Sequence, residues 1–212
     1  GCVALWRDVP AELAAATGLP AFVYSRQGYG GSDPCALPRP VSYMHDEALT
    51  VLGPLLAAAG IGRHILIGHS DGASIAIVYA GGTPAEGLLG MVLEAPHVNT
   101  EPGNIATIAE ISRSYSGGGL RERLARYHGR NVDCASRGWS EAWSDPAFLD
   151  CNIEGYLPAI RVPCLVIQGL DDRYGTPAQC EAIRARAGGP TEVLLLPDCA
   201  HAPHFEQHDL VL

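Results

Sequence analysis

The chain has 212 residues, 47% hydrophobic and 17% charged, with 14 Lys and Arg against 23 Asp and Glu for a net charge of −9. That length and apolar content support one globular domain, or one domain with a modest insertion, and exclude a disordered chain. The acidic balance and the lack of any basic block argue against nucleic acid or an anionic membrane as partner. No apolar run reaches the roughly 18 to 20 residues of a membrane span.

Seven cysteines (Cys2, Cys35, Cys134, Cys151, Cys164, Cys180 and Cys199) are scattered, odd in number and without a C-x-x-C pair. Reduced thiols and a cytoplasmic location are the expectation. No signal peptide is visible, but the chain opens at Gly1 without Met, so its natural start can lie further upstream.

In chain order, Val3, Leu5, Trp6, Val9 and Leu13 recur at helical spacing before Gly18, a helix stop. Ala21 to Tyr24 reads as a short buried strand, and Ser25 to Pro40 as a Gly/Pro-rich loop. A helix is expected from about Tyr43 to Ala59, ended by Gly60 and Gly62. The apolar run His64 to Gly68 reads as a strand, Asp71 to Ala80 as a helix, and Leu89 to Glu94 as a strand buried on both faces. Residues 97–161 change texture. Helical fragments Ile105–Ser114 and Leu120–His128 flank Gly117-Gly118-Gly119, and a Trp-rich segment follows, so this stretch reads as a helical cap insertion. Strand, helix and strand then return at 163–168, 176–187 and 192–196, with a last helix from Ala202. The domain reading is a core of 1–96 and 162–212 with the cap at 97–161. Alternating strands and helices give an α/β fold, a mostly parallel sheet with helices on both faces.

Three loops after strands carry candidate chemistry, because working residues of parallel sheets gather at the carboxyl ends of strands. The first is Gly68-His69-Ser70-Asp71-Gly72, a Gly-x-Ser-x-Gly turn between strand and helix that pushes the Ser70 hydroxyl outward in a strained conformation. Side chains at Gly68 and Gly72 would collide with the neighbouring strand and helix. The second is Gly169-Leu170-Asp171-Asp172, and the third is Pro197 to His204, which contains His201. A serine hydroxyl attacks only when a histidine takes its proton, and the histidine needs a carboxylate to hold its tautomer. Ser, Asp and His at successive strand ends meet that need.

These segments resemble the α/β-hydrolase superfamily over nearly the whole chain. Tyr24-Ser25-Arg26-Gln27-Gly28-Tyr29-Gly30-Gly31-Ser32 is similar to the family's D-x-R-G-x-G-x-S loop, with Ser25 where Asp is frequent. Gly68 to Gly72 resembles the nucleophile elbow, Gly169 to Asp172 the G-x-x-D acid loop, and His201-Ala202-Pro203-His204 the G-H-x-P-H segment, with Ala200 in place of Gly. The resemblance implies Ser70 as nucleophile, Asp172 as acid in preference to the adjacent Asp171, and His201 as base. It implies the Asp71 backbone N–H as one oxyanion donor, the other coming from a His-Gly loop upstream of Gly1. On that comparison the first strands and the end of the last helix are absent, and the chain is expected to fold poorly alone or lack activity.

Other residues have competing roles. Glu94, at a strand end, could serve as the acid, though bonding loop backbone is its simpler role. His201, His204 and His208 with Glu206 and Asp209 invite a metal reading, disfavoured because His204 and His208 fall on one face of the last helix. His69, His97, Trp139 and Trp143 are possible substrate contacts. The reading is a serine hydrolase acting on an ester-like bond of a small-molecule substrate, with no cofactor, no metal and no nucleic-acid or membrane partner. Carbon–carbon bond hydrolysis, cofactor-free perhydrolysis and a catalytically silent ligand-binding member are the alternatives.

Overall fold

The computed structural model describes residues 1–116 and 119–212, so Gly117 and Gly118 of the expected glycine break lie outside the described residues. The strands are β1 (His64–His69), β2 (Leu88–Glu94), β3 (Cys164–Gly169) and β4 (Thr191–Leu196). They pair in parallel in the order β1-β2-β3-β4. The helices are α1 (Val9–Thr17), α2 (Tyr43–Asp46), α3 (Gly53–Ala58), α4 (Asp71–Gly82), α5 (Pro102–Ser116), α6 (Gly119–His128) and α7 (Val132–Ser144). They continue with α8 (Pro177–Arg186), α9 (Pro203–Glu206) and α10 (His208–Val211). This is the α/β parallel-sheet class that the alternation of apolar strands and helices implies.

The chain forms two compact units, one of 42–104 and 149–207, the other of 1–41, 105–148 and 208–212. The sheet lies wholly in the first. Its inner strands are buried almost throughout, with Leu93 and Val166 at 0% exposure and Ile167 at 1%. Its outer strands leave Ile65, Ile67 and Leu195 exposed, which is why only the inner strands need to be apolar on both faces. Helix α4 packs on β1 and β2, and α8 on β3 and β4. Thr176 caps α8 by accepting from the Ala178 N–H, just ahead of Pro177.

In the second unit, Cys2, Tyr29 and Ala135 form an apolar cluster with Leu5 against it. Asn131 Nδ2 donates to the carbonyls of Gly30 (3.0 Å) and Ser32 (2.6 Å), and the Gly30 N–H donates to His128 Nδ1 (3.1 Å). Those bonds give the Gly-rich loop a fixed path. Trp143 is buried on Phe148, with ring centroids 4.6 Å apart. Trp139 is half-buried in the same helix.

Several expected elements differ. Ala21–Tyr24 is not a strand; it has strand-like composition but pairs with no strand among the described residues, and a lone strand cannot satisfy its backbone groups. The first helix is split into a 3-10 turn (Val3–Trp6) and α1, parted at Arg7 with φ 50°; Gly18 ends α1 at φ 71°, as its position implied. The helix over 43–58 widens to π geometry at Glu47–Leu52, directly before Pro54, whose missing N–H interrupts the regular bonding. The final helix breaks at Gln207 into α9 and α10, so His204 and His208 do not share one helical face.

Only one of the two elbow glycines is sterically required. A Cβ on Gly68 would sit 2.5 Å from the Gly72 carbonyl oxygen and 2.7 Å from Ala73 N. One on Gly72 would meet open space, because the tight approach is made by the strand end against the backbone of the first helical turn. Gly68→Ala is therefore expected to cost about 2–3 kcal/mol in urea denaturation. Gly72→Ala should be neutral or stabilising by about 0.5–1 kcal/mol, as alanine favours helix over glycine.

Candidate active site

Ser70 sits between β1 and α4 with φ 56° and ψ −123°, a conformation that L side chains rarely adopt and that only surrounding structure sustains. Two sets of bonds hold it. The Ser70 N–H donates to the Glu94 carbonyl at 2.9 Å, and the Ser70 carbonyl accepts from the N–H groups of Ala73 and Ser74. The Ser74 hydroxyl donates in turn to the His97 carbonyl at 2.6 Å, so the elbow is tied to the loop after β2.

Asp172 follows β3. Gly169 lets that loop turn, since a Cβ there would strike the carbonyls of Ala200 and Cys199. Asp172 Oδ1 accepts from the Tyr174 N–H and Oδ2 from the Gln168 side-chain amide, both at 2.8 Å. Oδ2 also lies 2.8 Å from His201 Nδ1, and the carboxylate is fully buried. Burial alone would raise its pKa, but His201, the Tyr174 N–H and Gln168 together hold the carboxyl below its ordinary value. An ionised carboxylate can only accept, so His201 Nδ1 carries a proton and donates it to Asp172. Asp171 is exposed, its N–H donating to the Cys199 carbonyl; Asp172, not Asp171, meets His201.

Glu94 and His204 form a second buried pair. His204 Nδ1 lies 2.5 Å from Glu94 Oε2, and the side chains are 5% and 3% exposed. Glu94 is thus engaged with His204, three residues past His201, in addition to the backbone bonding expected of it. The loop is clamped again by Glu206, whose two oxygens accept from the N–H groups of Ala200 (2.7 Å) and Ala202 (2.9 Å). His208 lies in the other unit, bonded to Glu12. The histidines of the proposed metal set therefore have separate carboxylate partners.

His69 and His97 both border His201. Their ring centroids lie 4.8 Å and 6.1 Å from its own, and the Tyr174 ring lies 4.3 Å away. His69 Nε2 donates to the His201 carbonyl at 2.6 Å. Burial first, and then the neighbouring His201, push the His69 pKa down to about 3 and that of His97 to about 4. Both rings are neutral at ordinary pH, leaving His201 beside imidazoles that bring no positive charge. Asp71 opens α4 directly after Ser70, so its N–H lies in the first helical turn; its side chain is buried and accepts from Tyr43 Oη at 2.7 Å. A cavity of about 280 Å³ adjoins Asp172, bounded by Glu101–Asn104 and Arg173–Thr176.

Gln168, Tyr174, His204 with Glu94, and Glu206 were not singled out as support for this site from sequence. Only Glu206 carried a local signal, an acidic residue in the first turn of a helix that begins just after His201.

A model described as the alpha/beta hydrolase family matches residues 3–212. No curated protein matches the chain. Among solved structures, Rv0554 of Mycobacterium tuberculosis is similar at 21% identity and TM-score 0.70, over 100% of this chain and 83% of that one. The enol-lactonase of Burkholderia xenovorans LB400 is similar at 20% identity and TM-score 0.69, over 99% and 84%. The esterase EaEST of Exiguobacterium antarcticum is similar at 17% identity and TM-score 0.64, over 89% and 77%. At these identities the likeness speaks for the fold alone.

Two outcomes follow from the buried groups. Because the folded pKa values of His69 and His97 lie below the unfolded value of about 6.5, the unfolded chain binds more protons below that pH. Stability is then complete above about pH 6.5 and falls as pH drops towards the folded values of about 3 and 4; His69→Gln should flatten this slope in urea titrations run from pH 7 to pH 4. Glu94→Leu removes the buried acceptor of His204 and should lower stability by about 2 kcal/mol or more, read as a shift in the urea midpoint.

Proposed function

Since the chain belongs to the alpha/beta hydrolase family, we propose that it is a serine hydrolase cleaving an ester-like bond of a small molecule through Ser70, His201 and Asp172. Ser70 Oγ attacks the acyl carbon while His201 Nε2 takes its proton, and Asp172 stabilises the imidazolium that forms. The oxyanion gathers at the start of α4, where the Asp71 N–H and the positive end of the helix favour negative charge. Collapse expels the alcohol, which leaves with the proton from His201, and a free acyl-enzyme remains. Water then attacks with His201 as base, returning Ser70 and releasing the acid. The chemistry calls for no cofactor.

The observation that carries this reading is the buried Asp172 carboxylate 2.8 Å from His201 Nδ1, on the sheet whose β1 ends in the strained Ser70. Neutral His69 and His97 also fit. A positive ring beside His201 would oppose the imidazolium on which proton transfer depends.

The test is labelling with a fluorophosphonate together with turnover of p-nitrophenyl esters of graded chain length. In the full-length protein, the wild type should label at Ser70 and hydrolyse a short ester. Ser70→Ala should abolish labelling and lower kcat by about 10⁴-fold or more, and Asp172→Asn by about 10³- to 10⁴-fold. Absence of both labelling and turnover in folded full-length protein would favour a ligand-binding role and sink the hydrolase reading.

A further inference from the structure

In the unit of 1–41, 105–148 and 208–212, the loop after Tyr24 and helix α7 bring two thiols beside a buried cation. Arg39 is 9% exposed. Its Nη2 donates to the Gln27 carbonyl at 2.8 Å and to Cys35 Sγ at 3.1 Å, and its guanidinium lies 5.0 Å over the Tyr29 ring. Cys134, on α7, places Sγ 3.3 Å from the Cys35 carbonyl. Both are half-exposed, so a small oxidant can reach them. Burial, and then the neighbouring Cys35 side chain, hold the Cys134 thiol above its ordinary pKa.

The other cysteines lack this setting. Cys2, Cys164, Cys180 and Cys199 are buried, and burial pushes Cys164 and Cys199 up to about 11 and Cys180 to about 12. Cys151 is half-exposed, and burial of its sulfur raises its pKa as well. A sulfur reacts as the thiolate, and of the seven only Cys35 receives a guanidinium hydrogen bond among the described residues.

We propose that Cys35 and Cys134 are a redox-active pair that a hydroperoxide converts to an intramolecular disulfide. Cys35 Sγ gives its proton to solvent and attacks the terminal peroxide oxygen, while Arg39 holds the negative charge on sulfur. The S–O bond forms as the O–O bond breaks, and the departing oxygen takes a proton to leave as water or an alcohol. The resulting sulfenic acid at Cys35 is attacked by Cys134 Sγ as that thiol loses its proton. The S–S bond forms, the S–O bond breaks, and hydroxide leaves as water. Two thiols have lost two electrons in all, and one hydroperoxide has gained them. The bond ties the Gly-rich loop to α7, and none of its steps involves Ser70, Asp172 or His201.

The test treats the folded, reduced protein with limiting hydrogen peroxide, then counts thiols under denaturing conditions and maps peptides without reduction. The expected product is about 2 Da lighter, shows five free thiols in place of seven, carries a Cys35–Cys134 crosslinked peptide, and regains all seven thiols with dithiothreitol. In Cys134→Ser, dimedone should trap the sulfenic acid at Cys35. In Arg39→Gln, oxidation should slow roughly tenfold, as expected when a sulfur loses its cation. Wild-type protein that oxidises first at another cysteine, or loses no thiols while an unfolded control does, overturns the proposal; an unchanged rate in folded Arg39→Gln overturns the part given to Arg39.

Discussion

The arrangement of the site depends on how closely the end of β1 approaches the first turn of α4. Gly68 stands where even one methyl group would meet the backbone of Gly72 and Ala73. That approach leaves Ser70 no ordinary conformation, and its positive φ is stable only because bonds on both sides hold it. Glu94 is the main holder. Its backbone carbonyl takes the Ser70 N–H, and its carboxylate takes the ring of His204. One residue at the end of β2 thus ties the serine turn on one side to the histidine loop on the other. Inner strands of a parallel sheet suit this task, since their ends are buried and their direction is set by neighbours on both edges.

Around His201 the protein controls charge more than contact. Asp172 supplies one negative charge, kept ionised by donors that offset its burial. The two adjacent imidazoles, His69 and His97, are kept neutral by burial. Near His201 a paired carboxylate thus stands with two imidazoles, His69 and His97, that bring no positive charge. His69 does a second job, since its Nε2–H holds the His201 backbone carbonyl.

What could be read from sequence follows how local each constraint is. The strands after residue 60 were legible because each is a short, mostly apolar run bounded by turn residues, and their boundaries fell within a residue or two. The Ser70 turn and the Asp172 and His201 loops were legible because each lies directly after such a strand. Ala21–Tyr24 misled because apolar composition records a tendency to pair, not the presence of a partner. Gly72 misled because a motif does not say which of its glycines faces backbone. The Glu94–His204 pair, 110 residues apart in sequence, had no local trace, since hydrogen bonds across a fold leave no periodicity. Gln168 was hidden for a related reason: it reads as the last residue of a strand until the turn after it brings Asp172 back onto its amide.

Glu206 carries a practical consequence. It is an exposed acidic side chain on a chain with net charge −9, the sort of position that surface redesign replaces freely to adjust solubility or binding to charged supports. Its carboxylate nevertheless holds the N–H groups on either side of His201. A charge-reversal library that treats solvent exposure as permission to mutate would loosen the histidine loop from outside, with no substitution near the serine. For anyone engineering this protein, the boundary of the site runs through its surface.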